Sequence, residues 1–284
     1  MPDCIMNAAT ILSEFKSFLN EAGTLGLAIQ QSALRSEKAD KSIVTEADLA
    51  ISALFQQRFN HYLSQPGHAL IDEEVTKVPL EDVLAADYQW VIDPIDGTAT
   101  YACGGLFWGI IISVFRKGEP WLAAVYIPPL RRLYWADETT MYETTDAFTA
   151  QEATVPVTPV IAPLSHSAQI HMHAEFVPQV FAETPFIVVD YWSPLHSALV
   201  CAGRLTFSIF KDALWDFSAG MVFATRTGLG FRRVADGKMF TKLDAELLTA
   251  NFKCASHMCI GPNDVYEALK PNFNPHLTVT KQAA

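Results

Sequence analysis

The stretch Trp90-Val91-Ile92-Asp93-Pro94-Ile95-Asp96-Gly97-Thr98 decides how the rest of the chain is read. Apolar and aromatic positions run straight into Asp93, the pattern of a buried strand reaching its end. Two carboxylates stand three residues apart, with Pro94 fixing the backbone between them. Gly97 and Thr98 follow, where a turn into a helix leaves backbone N–H groups unpaired and facing outward. Carboxylates at a strand end bind hard cations through oxygen. Free amides beside them bind an anion. Metal and phosphate held side by side are what metal-assisted hydrolysis of a phosphate ester requires. The same residues also suit a plain Pro-Gly turn capped by aspartates, and on this stretch alone the two readings weigh equally.

Three other stretches bear on the choice. Lys38-Ala39-Asp40-Lys41-Ser42-Ile43-Val44-Thr45-Glu46-Ala47-Asp48 ends as a helix start, with Thr45 at the N-cap and Asp48 at N3. Capping accounts for Thr45 and can account for Asp48; the functional alternative is that Asp48 also faces a metal-bound water. Gly67-His68-Ala69-Leu70-Ile71-Asp72-Glu73-Glu74 is a second short apolar strand that runs into acids. Adjacent acids repel unless something positive sits among them. A solvated acidic turn is the plain alternative, but the repeat of strand-then-acids favours one shared cation cluster. In Leu214-Trp215-Asp216-Phe217-Ser218-Ala219-Gly220, Asp216 either caps a helix or is a further acid aimed at the metals.

Composition bounds the class. The 284 residues can bury a large core, and with 50% apolar and 18% charged residues the chain is globular and ordered. Its formal net charge of −11 argues against a nucleic-acid surface. A phosphorylated substrate remains compatible, because bound divalent cations invert the local field. Cys4, Cys103, Cys201, Cys254 and Cys259 are scattered without a C-x-x-C pair, which predicts reduced thiols and a cytoplasmic protein. The sequence shows no signal peptide and no apolar run long enough to span a membrane.

Working outward, residues 4–35 read as one long helix with a possible break at Gly23 or Gly26, and 47–63 as a second. Phe107–Phe115 and Trp121–Tyr126 read as a hairpin turning at 116–120, with Leu133–Ala136 as a third strand. Residues 137–160 are Thr-rich and predict surface loops. Three prolines in Val155–Pro163 mark the expected boundary between halves 1–155 and 156–284. The second half alternates strand and helix: a strand at Pro185–Val189, a helix opening at Ser193-Pro194, a strand at Thr206–Phe210, and the helix of Asp216. Cys254–Ile260 and Pro262–Leu269 close the chain as strand and helix. His166, His171 and His173 fall close together, but no carboxylate or thiol is spaced in sequence to complete a metal site, so ordinary loop or core histidines are expected.

The ordered set resembles the inositol monophosphatase family of metal-dependent, often lithium-sensitive phosphatases. The matching blocks are Lys38–Asp48, Glu73-Glu74, Asp93–Thr98, and Trp215-Asp216 followed by Ser218-Ala219-Gly220. The resemblance implies an α/β fold, a layered αβαβα sandwich of the sugar-phosphatase type. It implies that Glu73, Asp93, Asp96 and Asp216 ligate two or three Mg²⁺, helped by the Ile95 carbonyl. It implies that Asp48 and Thr98, with Glu73, serve the attacking water, and that Asp96 and the Gly97 and Thr98 amides hold phosphate. Residues 1–155 would then carry most metal ligands and 156–284 complete the active site. The implied partner is a small phosphorylated metabolite, and the implied assembly a homodimer, with Phe107–Tyr134 either an edge for pairing or buried core.

The chain departs from the family pattern in several places, mostly on the sugar side. Asp72 replaces a glycine before the acidic pair and would add a charge beside the metals that changes ion selectivity, and Thr100-Tyr101 replaces Asn-Phe. Tyr191-Trp192-Ser193 stands where a small Gly-Ser/Thr-Ala is usual, leaving Ser193 as the substrate-side candidate. Ile209-Phe210-Lys211 replaces a glutamate before Trp215, and Arg226-Thr227-Gly228-Leu229 replaces Glu-Ala-Gly-Gly. Lys211 could meet a second anionic group or be a solvated strand-end lysine. Phe107-Trp108-Gly109, the Gly118-Glu119-Pro120 turn and Ile127-Pro128-Pro129 also look like the histidinol-phosphatase branch, the second expectation for substrate. A non-catalytic regulatory member is the alternative from another class.

Overall fold

Helix α1 runs unbroken from Ala8 to Gln30, so the expected break at Gly23 or Gly26 does not occur. Ile11, Phe15, Phe18, Leu19 and Ala22 recur at helical spacing and are fully buried. A Cβ at Gly23 would stand 2.5 Å from Tyr126 Cε1, and one at Gly26 2.9 Å from Trp108 Cη2. The glycines therefore serve close approach of helix to sheet. The computed structural model describes residues 6–30, 35–37, 43–76, 78–160, 163–181, 184, 186–190 and 195–274, without the side chains of 35–37 and 43–45. Strand β1 (Arg35–Glu37) pairs antiparallel with β2 (Ile43–Thr45), and helix α2 (Glu46–Leu63) starts directly after Thr45, where the cap was expected.

Next come β3 (His68–Asp72), helix α3 (Leu80–Ala85), β4 (Tyr88–Asp96) and helix α4 (Thr98–Ala102). They are followed by β5 (Gly109–Arg116), β6 (Glu119–Ile127), β7 (Arg132–Ala136), β8 (Met141–Thr145) and β9 (Ala153–Pro156). Strands β3 to β9 lie side by side in chain order, forming a seven-stranded sheet. Only the β3–β4 pair is parallel. Strands β8 and β9 replace the surface loops expected over 137–160. Their threonines are β-branched and suit strands near a sheet edge, and Met141 and Thr144 are buried. Strands β5 and β6 lie inside the sheet, so Gly109–Ile127 is core rather than a free edge.

The second half supplies β10 (Gln169–His171), helix α5 (Val177–Val180), β11 (Ile187–Val189), helix α6 (Leu195–Cys201) and β12 (Phe207–Phe210). Helix α7 (Leu214–Thr227), β13 (Gly230–Arg233), β14 (Met258–Gly261) and helix α8 (Asn263–Leu269) complete it. The five-stranded sheet has the order β11-β10-β12-β14-β13. Strand β13 was not among the expected elements, and it carries two arginines, Arg232 and Arg233. Both are buried, with Arg232 bonded to Asn263 and Arg233 to Asp236.

The elements stack as the expected αβαβα sandwich. Helices α1 and α2 cover one face of the large sheet through Phe15, Phe55, Trp90 and Ile112. Helices α6 and α7 lie between the sheets, where Val91, Ile111 and Phe115 pack with Leu195, Phe217 and Ile260. Helix α8 covers the outer face of the small sheet through Val265 and Leu269. The middle core draws on residues from both sides of the proline-rich stretch 155–163, so the two halves share their main hydrophobic core. The pleat of β4 decides the site. Trp90 and Ile92 face α1 and α2, whereas Val91 faces α7, and Asp93 continues the parity of Val91.

Candidate active site

Asp93 is buried on the α7 side of the large sheet, and neither of its carboxylate oxygens accepts a hydrogen bond among the described residues. The pairing of β4 with β5 shifts register between Asp93 and Asp96, around Pro94, which has no N–H to give. A bulge of this kind re-aims side chains, and here it lets two carboxylates of opposite parity converge. Gly97 then takes a left-handed backbone, φ +87°, and opens α4. Its N–H bonds the Asp96 carboxylate. The Thr98 hydroxyl donates to the Ile95 carbonyl at 3.0 Å, and that oxygen keeps a second lone pair.

Asp216 sits in the first turn of α7, where its Oδ2 accepts from Ala213 N at 2.9 Å. One oxygen thus caps the helix, the first of the two readings, while the carboxylate faces β4. One oxygen each from Asp93, Asp96 and Asp216 lie within 4.8 Å of one another. Glu73, in the turn after β3, acts electrostatically on both Asp93 and Asp96. Asp48, buried in the first turn of α2, acts on Asp93. Acids from four separate stretches thus converge.

The electrostatics are those of a site lacking counter-charge. Burial, then Glu73, Asp96 and Asp216, hold Asp93 well above the usual carboxylate range. Burial, then Asp216 and Asp212, do the same to Asp96. Asp216 is pushed up to about 7 by burial and by Asp212. Crowded buried acids, all offering oxygen and with Asp93 accepting no hydrogen bond among the described residues, fit hard divalent cations. Such ions would be held by Asp93, Asp96 and Asp216, with Glu73 and the Ile95 carbonyl adjoining.

Other expectations are corrected or extended. Asp72 does not add charge beside this cluster. It pairs in register with Ile92, so the pleat turns it to the α2 face, where it accepts from Ser52 Oγ and from Glu74 N at 2.9 Å. Lys211 is exposed, and its charge, with burial, pushes His257 down to about 4. Ser193, with Tyr191 and Trp192, lies outside the described residues. Two residues were missed. Asp212 faces the cluster and stands 3.6 Å from His173 Nε2 and 3.7 Å from His196 Nε2. Lys253 favours the charged form of Asp216 and is bridged to Ala213 across the chain. The signal for Asp212 was its place four residues before Asp216, overlooked because an acid was sought further upstream.

A pocket that gathers carboxylates beneath a left-handed glycine turn suits phosphate-ester hydrolysis with bound divalent cations. Comparison with known proteins places the chain in a family. The model of the inositol monophosphatase family matches residues 8–267, and the chain belongs to that family and is a phosphatase of it. The uncharacterized protein y4fL of Sinorhizobium fredii is 30% identical over 210 residues, 71% of each chain. A histidinol-phosphatase of Mycobacterium tuberculosis is 31% identical over 99 residues, 35% of this chain and 36% of that one. A staphylococcal IMPase-I, solved in complex with products, superposes with a TM-score of 0.74 over 98% of this chain and all of that one at 22% identity.

Proposed function

We propose that this protein is a Mg²⁺-dependent phosphomonoesterase acting on a small phosphorylated alcohol. The observation that carries the reading is the buried convergence of Asp93, Asp96 and Asp216, with neither Asp93 oxygen accepting a hydrogen bond among the described residues. Magnesium is favoured because every converging donor is oxygen. Glu73, Asp93, Asp96, Asp216 and the Ile95 carbonyl are the assigned ligands for two or three ions. Bound metal lowers the pKa of water from about 15.7 toward 7, supplying hydroxide without a strong side-chain base. Asp48 and the Thr98 hydroxyl orient that water, and the Gly97 and Thr98 amides hold phosphoryl oxygens, Gly97 exchanging its present carboxylate partner for the substrate.

The leaving-group side favours a loosely chosen or non-inositol ester. A hydroxyl-rich ring needs positioned hydrogen-bond partners, and this chain places Tyr191-Trp192-Ser193 and Lys211 where small or acidic residues are usual. Histidinol phosphate is the second reading, favoured by the relative of that activity. A non-catalytic role is disfavoured because no metal-side acid is lost. The four described cysteines are free thiols, which supports a cytoplasmic setting, and no described helix is long and apolar enough to cross a membrane. The proposed assembly is a homodimer, and light scattering showing only monomer at micromolar concentration would remove it. Specificity constants for inositol 1-phosphate, histidinol phosphate, glycerol 2-phosphate and an adenosine bisphosphate, each with Mg²⁺ and with EDTA, test the function. Expected is metal-dependent turnover with no hundredfold preference for inositol 1-phosphate. Such a preference, about 3 kcal/mol in the transition state, would overturn the substrate reading.

A further inference from the structure

His171 and His173 lacked a partner in sequence, and the fold supplies one. Strand β10 pairs in parallel with β11, placing Asp190 directly after Val189, the register partner of His171. Met172 N bonds Val189 O at 3.0 Å, and the Met172 side chain enters the outer core. The alternating pleat therefore carries His171 and His173 to the opposite side, toward α6. One ligand atom each of His171, His173 and Asp190 lie within 4.8 Å of one another, and His173 Nδ1 is 2.9 Å from Asp190 Oδ1.

We propose that His171, His173 and Asp190 form a second cation site, for a Zn²⁺-class ion, separate from the carboxylate cluster. Atoms bound to one tetrahedral zinc at about 2.0–2.1 Å stand ~3.4 Å apart, so closure asks only small side-chain movements. Imidazole nitrogen selects zinc and its neighbours over magnesium, which the all-oxygen cluster suits. Outer partners are in place, as ligating histidines require. Ser208, the β12 register partner of His171, has its Oγ 3.0 Å from Nδ1 of both His171 and His196. The His171 and His196 rings stack at 4.3 Å with 7° between planes, which fixes the His171 ring. Asp212 stands 3.6 Å from His173 Nε2 and could support or complete the site. Asp190 is exposed, giving the ion a route in. Since Asp212 also acts on Asp96 and Asp216, the second ion would share a wall with the first site.

The plain alternative is an ion pair between His173 and Asp190 that needs no metal. Titrating the untagged chain with Co²⁺ or Zn²⁺ under saturating Mg²⁺ separates the two. Expected is one bound equivalent per chain, with a visible Co²⁺ spectrum of nitrogen ligation. Asp190→Asn, isosteric and able through its amide oxygen to keep the bond from Ala174 N, should weaken it at least tenfold in a protein whose folded state is confirmed, as should His173→Gln. Asp93→Asn should leave it unchanged. No bound equivalent, an equivalent that survives Asp190→Asn and His173→Gln together, or one lost in Asp93→Asn would each overturn the proposal.

Discussion

Asp72 and Asp93 show how one residue of pleat separates two functions. Each ends an apolar run beside other acids, yet Asp93 faces α7 and Asp72 faces α2. Asp72 works as an anchor for the turn that carries Glu73, accepting from Ser52 and Glu74. Replacing it with alanine leaves buried donors unsatisfied, at a cost of about 1–3 kcal/mol. Asp72→Ala should lower the unfolding free energy by that amount in a denaturant titration while the Mg²⁺ requirement persists. Inhibition by millimolar Li⁺, proposed from family membership, should persist too. A changed ion preference in an assay across Li⁺ and Mg²⁺ series would mean that Asp72 does face the metals. At this scale the convergence of Asp93, Asp96 and Asp216 was legible, because local rules place them: a strand end, a proline, a helix start. The face of Asp72 was not read, although counting parity from Val91 through the parallel partner Ile71 yields it. Asp212 and Asp190 were illegible as partners of His173, since strand pairing and not sequence spacing brings them together.

Among elements, the contact of α6 with α7 leaves no room for a side chain at Gly220. A Cβ on Gly220 would stand 2.6 Å from Ser197 Oγ, 2.7 Å from Ser197 Cβ and 2.9 Å from Ile260 Cδ1. Alanine in a helix gains roughly 0.5–1 kcal/mol over glycine, but overpacking costs about 1–3 kcal/mol. Ser197 Cβ is stiff, so the clash should win. Gly220→Ala is expected to destabilise, and adding Ser197→Gly should recover part of the loss in a double-mutant cycle. Simple additivity of the two would show that the helices do not meet there. The small Ala219 and Gly220 are what a tightly packed helix needs. Strands β8 and β9 went unread because threonine serves both loops and outer strands, and sequence alone does not say which strand lies beside them. Strand β13 went unread; it buries two arginines, Arg233 paired with Asp236 and Arg232 bonded to Asn263.

For the whole molecule, the acid cluster makes stability depend on pH and metal together. Asp93, Asp96 and Asp216 have folded pKa values above their unfolded ones. Metal-free, they therefore contribute stability below the ordinary carboxylate range, near pH 4, and that contribution is lost as pH rises through the folded values, about 7 for Asp216. The thermal midpoint in EDTA should fall relative to the Mg²⁺ form over that interval, and the gap should be widest above it. A gap independent of pH would place the metal elsewhere. The layer order of the fold was legible from the family blocks, and so was the shared pocket; the common core of the two halves was not, because it depends on α7 lying across strands of the first half. The central claim is that Asp93 is a ligand of the catalytic metal rather than a cap of its turn. It is tested most directly by hydrolysis of a generic phosphomonoester against Mg²⁺ concentration, for the wild type and Asp93→Asn, with the folded state confirmed in both. The account predicts turnover reduced by orders of magnitude in Asp93→Asn, in a protein at least as stable as the wild type without metal. Full Mg²⁺-dependent turnover in folded Asp93→Asn would contradict it.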